Sequence, residues 1–123
     1  MKIQPHSFTV LDTTDLAAGT HYYDSASGQK TGGRSFLSLT GFLDDADGTI
    51  TVTVEGTNDL SVPAWVQLYG YDTKGATDAN SVTVTNTNVT FAWDFDNITY
   101  RYYRVKVVNT GATNVVKIYG RAS

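Results

Sequence analysis

The stretch that decides the fold class is residues 49–55, which read TITVTVE. Ile50, Val52 and Val54 alternate with polar residues, so a strand places their three side chains on one face. Threonine fills most of the polar positions, and its β-branched side chain suits a pleated, half-buried surface. This stretch therefore predicts a β-strand that contributes Ile50, Val52 and Val54 to the core.

The same alternation recurs further along the chain. It is clear at residues 89–95, where it places Trp93 in the core, and at residues 102–107 and 115–119. Residues 109–111, Asn-Thr-Gly, are a turn signal, so the last two strands are expected to form a hairpin. Shorter apolar runs bounded by turn residues predict further strands at residues 8–11, 35–43, 65–71 and 81–85.

These strands, in a chain without a segment of helical period, predict an all-β fold. Seven or eight strands fit a two-sheet antiparallel sandwich, either jelly-roll-like or immunoglobulin-like, and they leave the strand order open. A length of 123 residues gives room for one domain, residues 1–123. The chain contains no cysteine, so neither disulfide bonds nor thiolate metal sites are expected.

Residues 16–33 stand apart because they contain four glycines and many small polar residues. A connection of this length is unusual in a compact domain, and such connections tend to be functional or mobile. We expect a surface loop around one short strand. The alternative is that residues 1–33 form a partly extended arm that becomes ordered against a neighbouring subunit.

Charge is distributed unevenly along the chain. The net charge is −3, yet no acidic residue follows Asp96 and five basic residues do. Such asymmetry indicates either an electrostatic docking face or basic residues that protect exposed strand edges. The overall acidity argues against nucleic acid as a partner. No segment has the roughly 20 apolar residues of a membrane span, and residues 1–6 do not resemble a signal peptide.

The basic residues near the end of the chain alternate with core positions, so they face outward together with two tyrosines. Tyrosine and arginine are enriched at protein interfaces, and we interpret this face as a protein-contact surface rather than a plain solvated one. In the expected hairpin these residues lie on neighbouring strands. The candidate interface consists of Tyr102, Arg104, Lys106, Lys117, Tyr119 and Arg121.

A second candidate site is formed by Trp65, Tyr69 and Tyr71, which share one face of a predicted strand with Gln67. Exposed aromatic residues in a row can stack on sugar rings, so this face is a candidate glycan platform. The opposite face of the strand offers little apolar surface for the core, so the aromatic face could equally be the buried one.

Catalytic and metal-binding chemistry finds little support in the sequence. A nucleophile–histidine–carboxylate site would need His6 or His21, and neither lies in a recognisable motif, so no enzyme activity is expected. Asp44, Asp45 and Asp47 could supply oxygen ligands for calcium. The Asp-Gly pair at positions 47–48 also explains the stretch as a hairpin turn, which we favour. No metal and no cofactor are expected.

Two segments resemble small bacteriophage virion structural proteins. Residues 48–59 end in Gly-Thr-Asn-Asp and precede a strand that begins with Trp65, and this order is similar to a strand–turn–strand pattern of those proteins. Residues 100–108 and 113–121 are similar to their last hairpin, and the resemblance spans roughly residues 34–121. These proteins are β-sandwiches, among them capsid decoration or auxiliary capsid proteins, head fibres and tail-associated modules, and many assemble as trimers.

The resemblance implies a non-enzymatic virion protein, made in the host cytoplasm and working without a cofactor. Its implied partners are further copies of itself, as a homotrimer, and the major capsid protein or another virion protein. Capsid decoration is the leading interpretation. The alternative is a carbohydrate-binding module or an adhesion component of a tail or head fibre, which would use the Trp65, Tyr69 and Tyr71 platform.

Overall fold

The computed structural model of this chain describes residues 6–23, 29–30, 36–44, 48–59, 61, 64–73, 76–85, 88–95 and 100–122. In this part of the chain all regular structure is β-strand, as the alternating pattern predicts. The strands are β1 (His6–Tyr23), β2 (Gln29–Lys30), β3 (Leu37–Asp44), β4 (Thr49–Thr57), β5 (Val66–Gln67), β6 (Gly70–Asp72), β7 (Thr77–Ala79), β8 (Val82–Thr85), β9 (Asn88–Phe95) and β10 (Tyr102–Ala122).

All ten of these strands belong to one hydrogen-bonded antiparallel network. The order across it is β5-β4-β10-β3-β9-β6-β7, with β1 and β2 paired to β10 and β8 paired to β4. The expected seven or eight strands in two separate sheets are therefore not what the described residues show. The reason is that β10 pairs with β4 over residues 102–109 and with β3 over residues 115–122, so one strand links both halves.

The two long strands account for the main differences from the sequence-based expectation. β10 has 21 residues and runs through the segment expected to be a hairpin turn, so that hairpin does not form. β1 has 18 residues and pairs with β10 from His6 to Tyr23. The first part of the expected loop at residues 16–33 is therefore strand, and so are residues 29–30. Residues 24–28 and 31–33 lie outside the described part.

A single hydrophobic core lies on the inner face of this curled network. Ile50, Val52 and Val54 are fully buried, as the alternation at residues 49–55 predicts, and Trp93 is fully buried in the same cluster. The core packs aliphatic side chains of β3, β4 and β10 against aromatic rings of β9. Its other fully buried side chains are Phe95, Leu37, Leu39, Leu43, Ile118, Val105, Val107 and Val116.

The pairing of β10 with β1 shifts register between Asn109 and Thr113, and we call this segment the bend of β10. The side chain of Asn109 connects the two strands there. Asn109 is 1% exposed and donates from Nδ2 to the carbonyls of Leu16 (2.9 Å) and Ala17 (3.3 Å). Its Oδ1 accepts from the Gly111 amide at 3.0 Å and from Asn114 Nδ2 at 2.7 Å. A side-chain amide can make about four hydrogen bonds, so this buried group is fully satisfied.

The start of β4 is attached to the same bend. Gly48, just before β4, has a φ of +88°, a conformation that glycine adopts without steric cost. Thr110 Oγ1 accepts a hydrogen bond from the Thr49 amide at 2.8 Å and lies 3.3 Å from the Thr49 carbonyl, to which it donates. Asn109 and Thr110 of β10 thus bond to β1 and to the start of β4, respectively.

Candidate functional site

The outer face of β10 carries the six residues of the candidate interface. Their strand neighbours Tyr103, Val105, Val107, Val116 and Ile118 are all buried in the core, so the predicted alternation is confirmed. The six do not lie on two neighbouring strands, because the hairpin is absent. Tyr102, Arg104 and Lys106 lie before the bend of one strand, and Lys117, Tyr119 and Arg121 lie after it.

Arg104 is held in place by three side chains. Its Nε donates to Glu55 Oε1 at 2.9 Å, across the β10–β4 pair in which the two residues are directly opposite. Its guanidinium carbon lies 4.2 Å from the centre of the Tyr22 ring and 4.1 Å from the centre of the Trp65 ring. A planar guanidinium stacks well on aromatic faces, so the charge is fixed on the outer face with little loss of rotamer freedom on binding.

This arrangement explains why β4 is buried on both faces. The threonines of residues 49–55 were expected on a half-buried surface, yet Thr53 is 3% exposed, and on the same face Glu55 and Thr57 are 8% and 3% exposed. Arg104 bonds to Glu55, and Trp65 stacks on Arg104, so these side chains cover part of the outer face. A buried carboxylate needs such a partner, because an unpaired charge away from water is costly.

Beyond the bend, Tyr119 is the most exposed aromatic residue of the candidate interface. Its side chain is 41% exposed, and its hydroxyl donates to Asp12 Oδ2 at 3.1 Å. This hydrogen bond, with smaller contributions from desolvation and from the charge of Asp12, raises the pKa of the Tyr119 hydroxyl above its ordinary value of 10.0. Tyr119 therefore presents a protonated hydroxyl whose direction is set by β1.

The candidate glycan platform is divided by the structure. The strand expected at residues 65–71 forms as two short strands, β5 and β6, at opposite ends of the strand order. Trp65 precedes β5 and stacks on Arg104, whereas Tyr69 and Tyr71 lie on or beside β6 and are 70% and 46% exposed. Trp65 is thus part of the Arg104 cluster, whereas Tyr71 pairs with residues of β7 and β9.

Tyr69 and Tyr71 border a cleft of about 330 Å³ that the sequence analysis did not identify. The remaining lining consists of Phe36, Gly70, Asp78 and Asp94. Tyr71 is paired with Asp78 of β7 on one side and with Asp94 of β9 on the other, so the three side chains form a row on one face. Asp94 is far from Tyr71 in sequence, Asp78 lies on the next strand along the chain, and strand pairing brings both beside Tyr71.

Other sequence-based candidates have different outcomes. His21 Nε2 lies 2.9 Å from the carbonyl oxygen of Ala17, and the side chain of His6 is outside the described set. Asp45 and Asp47 of the possible calcium stretch lie outside the described residues as well. Among the side chains that are described, no three His, Cys, Asp or Glu residues are grouped to hold a metal ion. The described part also contains no helix long and apolar enough to cross a membrane.

Three partners of the candidate interface, Tyr22, Glu55 and Asp12, were missed at the level of sequence. Tyr22 lies in the segment expected to be a loop, and Glu55 ends a strand that looks half exposed. The sequence did contain one signal for the Glu55 contact. Glu55 is the single acidic residue in the otherwise uncharged stretch 49–55, and its position alternates with core residues. Such a carboxylate suggests a basic partner on the neighbouring strand, but the sequence does not identify that strand.

No protein-family model matches this chain, and no curated protein matches it. Solved structures do. The SPBc2 prophage-derived protein YomS is similar with a TM-score of 0.66 and 15% identity, over 99% of this chain and 96% of that one. PirA is similar over 99% of this chain and 94% of that one, with a TM-score of 0.50 and 13% identity.

The PBSX exported protein XepA is also similar, with a TM-score of 0.67 and 15% identity. The match spans 97% of this chain but only 37% of XepA, so this chain corresponds to about a third of that protein. At these identities the similarity shows a shared fold. One of the proteins that share the fold of this chain, YomS, is therefore prophage-derived.

Proposed function

We propose that this chain is a non-enzymatic structural protein of a bacteriophage virion, a capsid decoration or auxiliary protein that binds the particle surface as an oligomer, with a trimer as the expected state. Its partners are then other copies of itself and the major capsid protein or another virion protein. The observation that carries the proposal is the outer face of β10, where Arg104 is fixed between Tyr22, Trp65 and Glu55.

The chemistry of this face suits protein contact. It combines tyrosine and arginine, the residue types most enriched where proteins bind. The Arg104 guanidinium is already stacked and paired, and the Tyr119 hydroxyl is already bonded to Asp12, so little further ordering is needed on binding. Preorganised side chains lower the entropic cost of association, which favours a stable attachment to a particle.

The prophage-derived protein YomS, which has the same fold, supports this context without assigning a role. The overall net charge of −3 favours a protein partner over nucleic acid, because the rest of the chain opposes a polyanion. The basic residues of β10 therefore most simply meet acidic groups on a protein surface, either a neighbouring copy or the capsid.

Two measurements test the proposal. Light scattering coupled to size-exclusion chromatography gives the mass of the purified chain, for which a trimer is expected. Co-sedimentation with empty capsids of the encoding phage measures particle binding. The double variant K117Q/R121Q removes two positive charges from the outer face, and we expect it to weaken capsid binding by roughly tenfold or more.

The matched control is T77D/T83D, which changes the net charge by the same amount at two exposed threonines on β7 and β8. It should bind capsids like the parent chain. Equal weakening by both double variants would show that net charge alone matters. A monomeric chain that does not sediment with capsids would contradict the proposal.

A further inference from the structure

We propose that the cleft between β6, β7 and β9 is a carbohydrate-binding site that takes a neutral or amino sugar residue. This site lies on the same sheet face as the proposed particle-binding residues of β10, on different strands, and its function goes beyond the structural role. It contains Tyr69 and Tyr71 of the earlier platform, but it replaces Trp65 with two carboxylates, those of Asp78 and Asp94.

The geometry of the cleft follows from strand register. Asp94, Tyr71 and Asp78 are directly opposite one another on three adjacent antiparallel strands. Neighbouring strands are about 4.8 Å apart and directly paired side chains point to the same face, so a carboxylate lies on each side of the Tyr71 ring. Tyr69, two residues earlier in the chain, extends the aromatic surface beyond this row.

The chemistry of these groups matches a sugar better than other small ligands. A sugar ring has apolar C–H groups on its faces and hydroxyl donors around its edge. Tyrosine offers an apolar ring face and a polar tip, and ionised carboxylates are strong acceptors for hydroxyl groups. Both carboxylates would repel an acidic sugar, so neutral or amino sugars are the expected class.

The floor of the cleft is rigid. Gly70 is buried between the two tyrosines, and a Cβ at that position would lie 2.7 Å from Trp93 Nε1 and 2.8 Å from the Asp94 carbonyl oxygen. The backbone of β6 therefore packs directly on β9 and on the fully buried Trp93. A preformed floor holds the tyrosines in place, as is usual for small-molecule sites of roughly 300–1,000 Å³.

The surface next to the cleft leaves space for a longer glycan. Ser38 separates Asp94 from Arg121 in the same row of paired residues, and Thr40 and Ala92 form a pair in the next row. The side chains of Ser38, Thr40 and Ala92 are small, so a sugar residue that extends from the bound one toward β3 would meet an open sheet face.

The test begins with the purified full-length chain on an array of neutral, amino and acidic glycans. The strongest neutral or amino glycan is then titrated by calorimetry against the parent chain, Tyr71→Ala and Asp94→Asn. We expect each variant to weaken binding by about tenfold or more, because Tyr71→Ala removes an aromatic face and Asp94→Asn removes a charged hydroxyl acceptor. Thermal unfolding followed by circular dichroism confirms that the variants are folded.

Thr20→Ala is the control, since Thr20 is an exposed residue of β1 that pairs with Val108, in the part of β10 that pairs with β4 and not with β3. It should leave glycan affinity within about twofold. Absence of glycan binding, a preference for acidic glycans, or binding unaffected by Tyr71→Ala would each overturn the proposal. A change of oligomeric mass in Tyr71→Ala without any glycan binding would overturn it in favour of contact between copies. Capsid binding is measured separately, so either proposal can fail without the other.

Discussion

Asn114 donates a hydrogen bond from its side-chain amide to Oδ1 of Asn109 at 2.7 Å, inside the bend of β10. Asn109 in turn donates to two carbonyl groups of β1, so the two amides connect the strands at the point where their regular pairing is interrupted. At this point side-chain amides replace the backbone ladder. The bend, and with it the division of β10 between its β3 and β4 partners, depends on buried polar groups rather than on a loop.

Replacing Asn109 should therefore destabilise the fold. Asn109→Ala leaves the Leu16 and Ala17 carbonyls and the Gly111 amide without this partner in a buried site. Each unsatisfied buried group costs about 1–3 kcal/mol, and with partial compensation by water we expect a loss of about 2–4 kcal/mol in the free energy of unfolding. Urea denaturation measures this loss.

The control for that experiment is Asn80→Ala. Asn80 Nδ2 donates to Gln67 Oε1 at 3.1 Å, but this hydrogen bond is exposed to water. Its removal should change the free energy of unfolding by less than about 0.5 kcal/mol. Equal losses for the two variants would show that burial of the Asn109 amide is unimportant.

Arg104 and Glu55 should be coupled energetically. Arg104→Met keeps much of the side-chain length but removes the guanidinium from a carboxylate that is 8% exposed. We expect this variant to lose about 2–4 kcal/mol of stability, because a charge is left without its partner in a largely buried site. The double variant R104M/E55Q should recover part of the loss. Denaturant unfolding of the two single variants and the double variant gives the coupling, and strictly additive losses would contradict the pairing.

Gly70 should not accept even a methyl group. The added Cβ of Gly70→Ala would lie within 2.8 Å of Trp93 Nε1, the Asp94 carbonyl oxygen and Phe95 Cε1. Overpacking of this kind costs about 1–3 kcal/mol, and the displacement should alter the near-ultraviolet circular dichroism of Trp93. Ala64→Ser, a change at an exposed position, serves as the control. An unchanged spectrum in Gly70→Ala would contradict the close approach of β6 to the core.

The titration of Tyr119 should report its contact with Asp12. Because the hydrogen bond to Asp12 raises the pKa of Tyr119, the folded chain holds this proton more firmly than the unfolded chain does. The associated stabilisation is complete below the ordinary value near 10 and is lost as the pH rises through the folded pKa. Asp12→Asn should lower the Tyr119 pKa toward the ordinary value, measured by NMR of the ring carbons. A pKa unchanged by Asp12→Asn would contradict the contact.

The strands that alternate most regularly could be predicted from the sequence, and so could their core faces. Ile50, Val52, Val54 and Trp93 are all fully buried as expected, because alternation is a local property of the chain. The class of fold follows from the same signal. The number of strands and their arrangement in layers could not be predicted from this signal, since they depend on where long strands bend and on which strands pair.

The bend and the cleft could not be predicted, for a common physical reason. Residues 109–111 have the chemistry of a turn, but the partners that keep them within one strand lie on β1, at Leu16 and Ala17. Residues 65–71 alternate like one strand, but β5 pairs with β4 whereas β6 pairs with β9, where Gly70 packs on Trp93. In both cases the deciding contacts join segments distant in sequence, which periodicity does not register.

The pairing of β1 with β10 has a consequence for the order of events during synthesis. His6 pairs with Ala122 and Tyr23 with Val105. Among the described strands, β1 is therefore synthesised first and pairs only with β10, which is synthesised last. Until then an 18-residue extended segment remains without a partner, and such long-range pairing makes folding slow. Several exposed residues along β1 are polar or small, such as Thr14, Asp15 and Ala18. Such residues make an unpaired strand a poor template for aggregation before β10 is synthesised. The composition of β1 is thus suited to the nascent chain as well as to the finished fold.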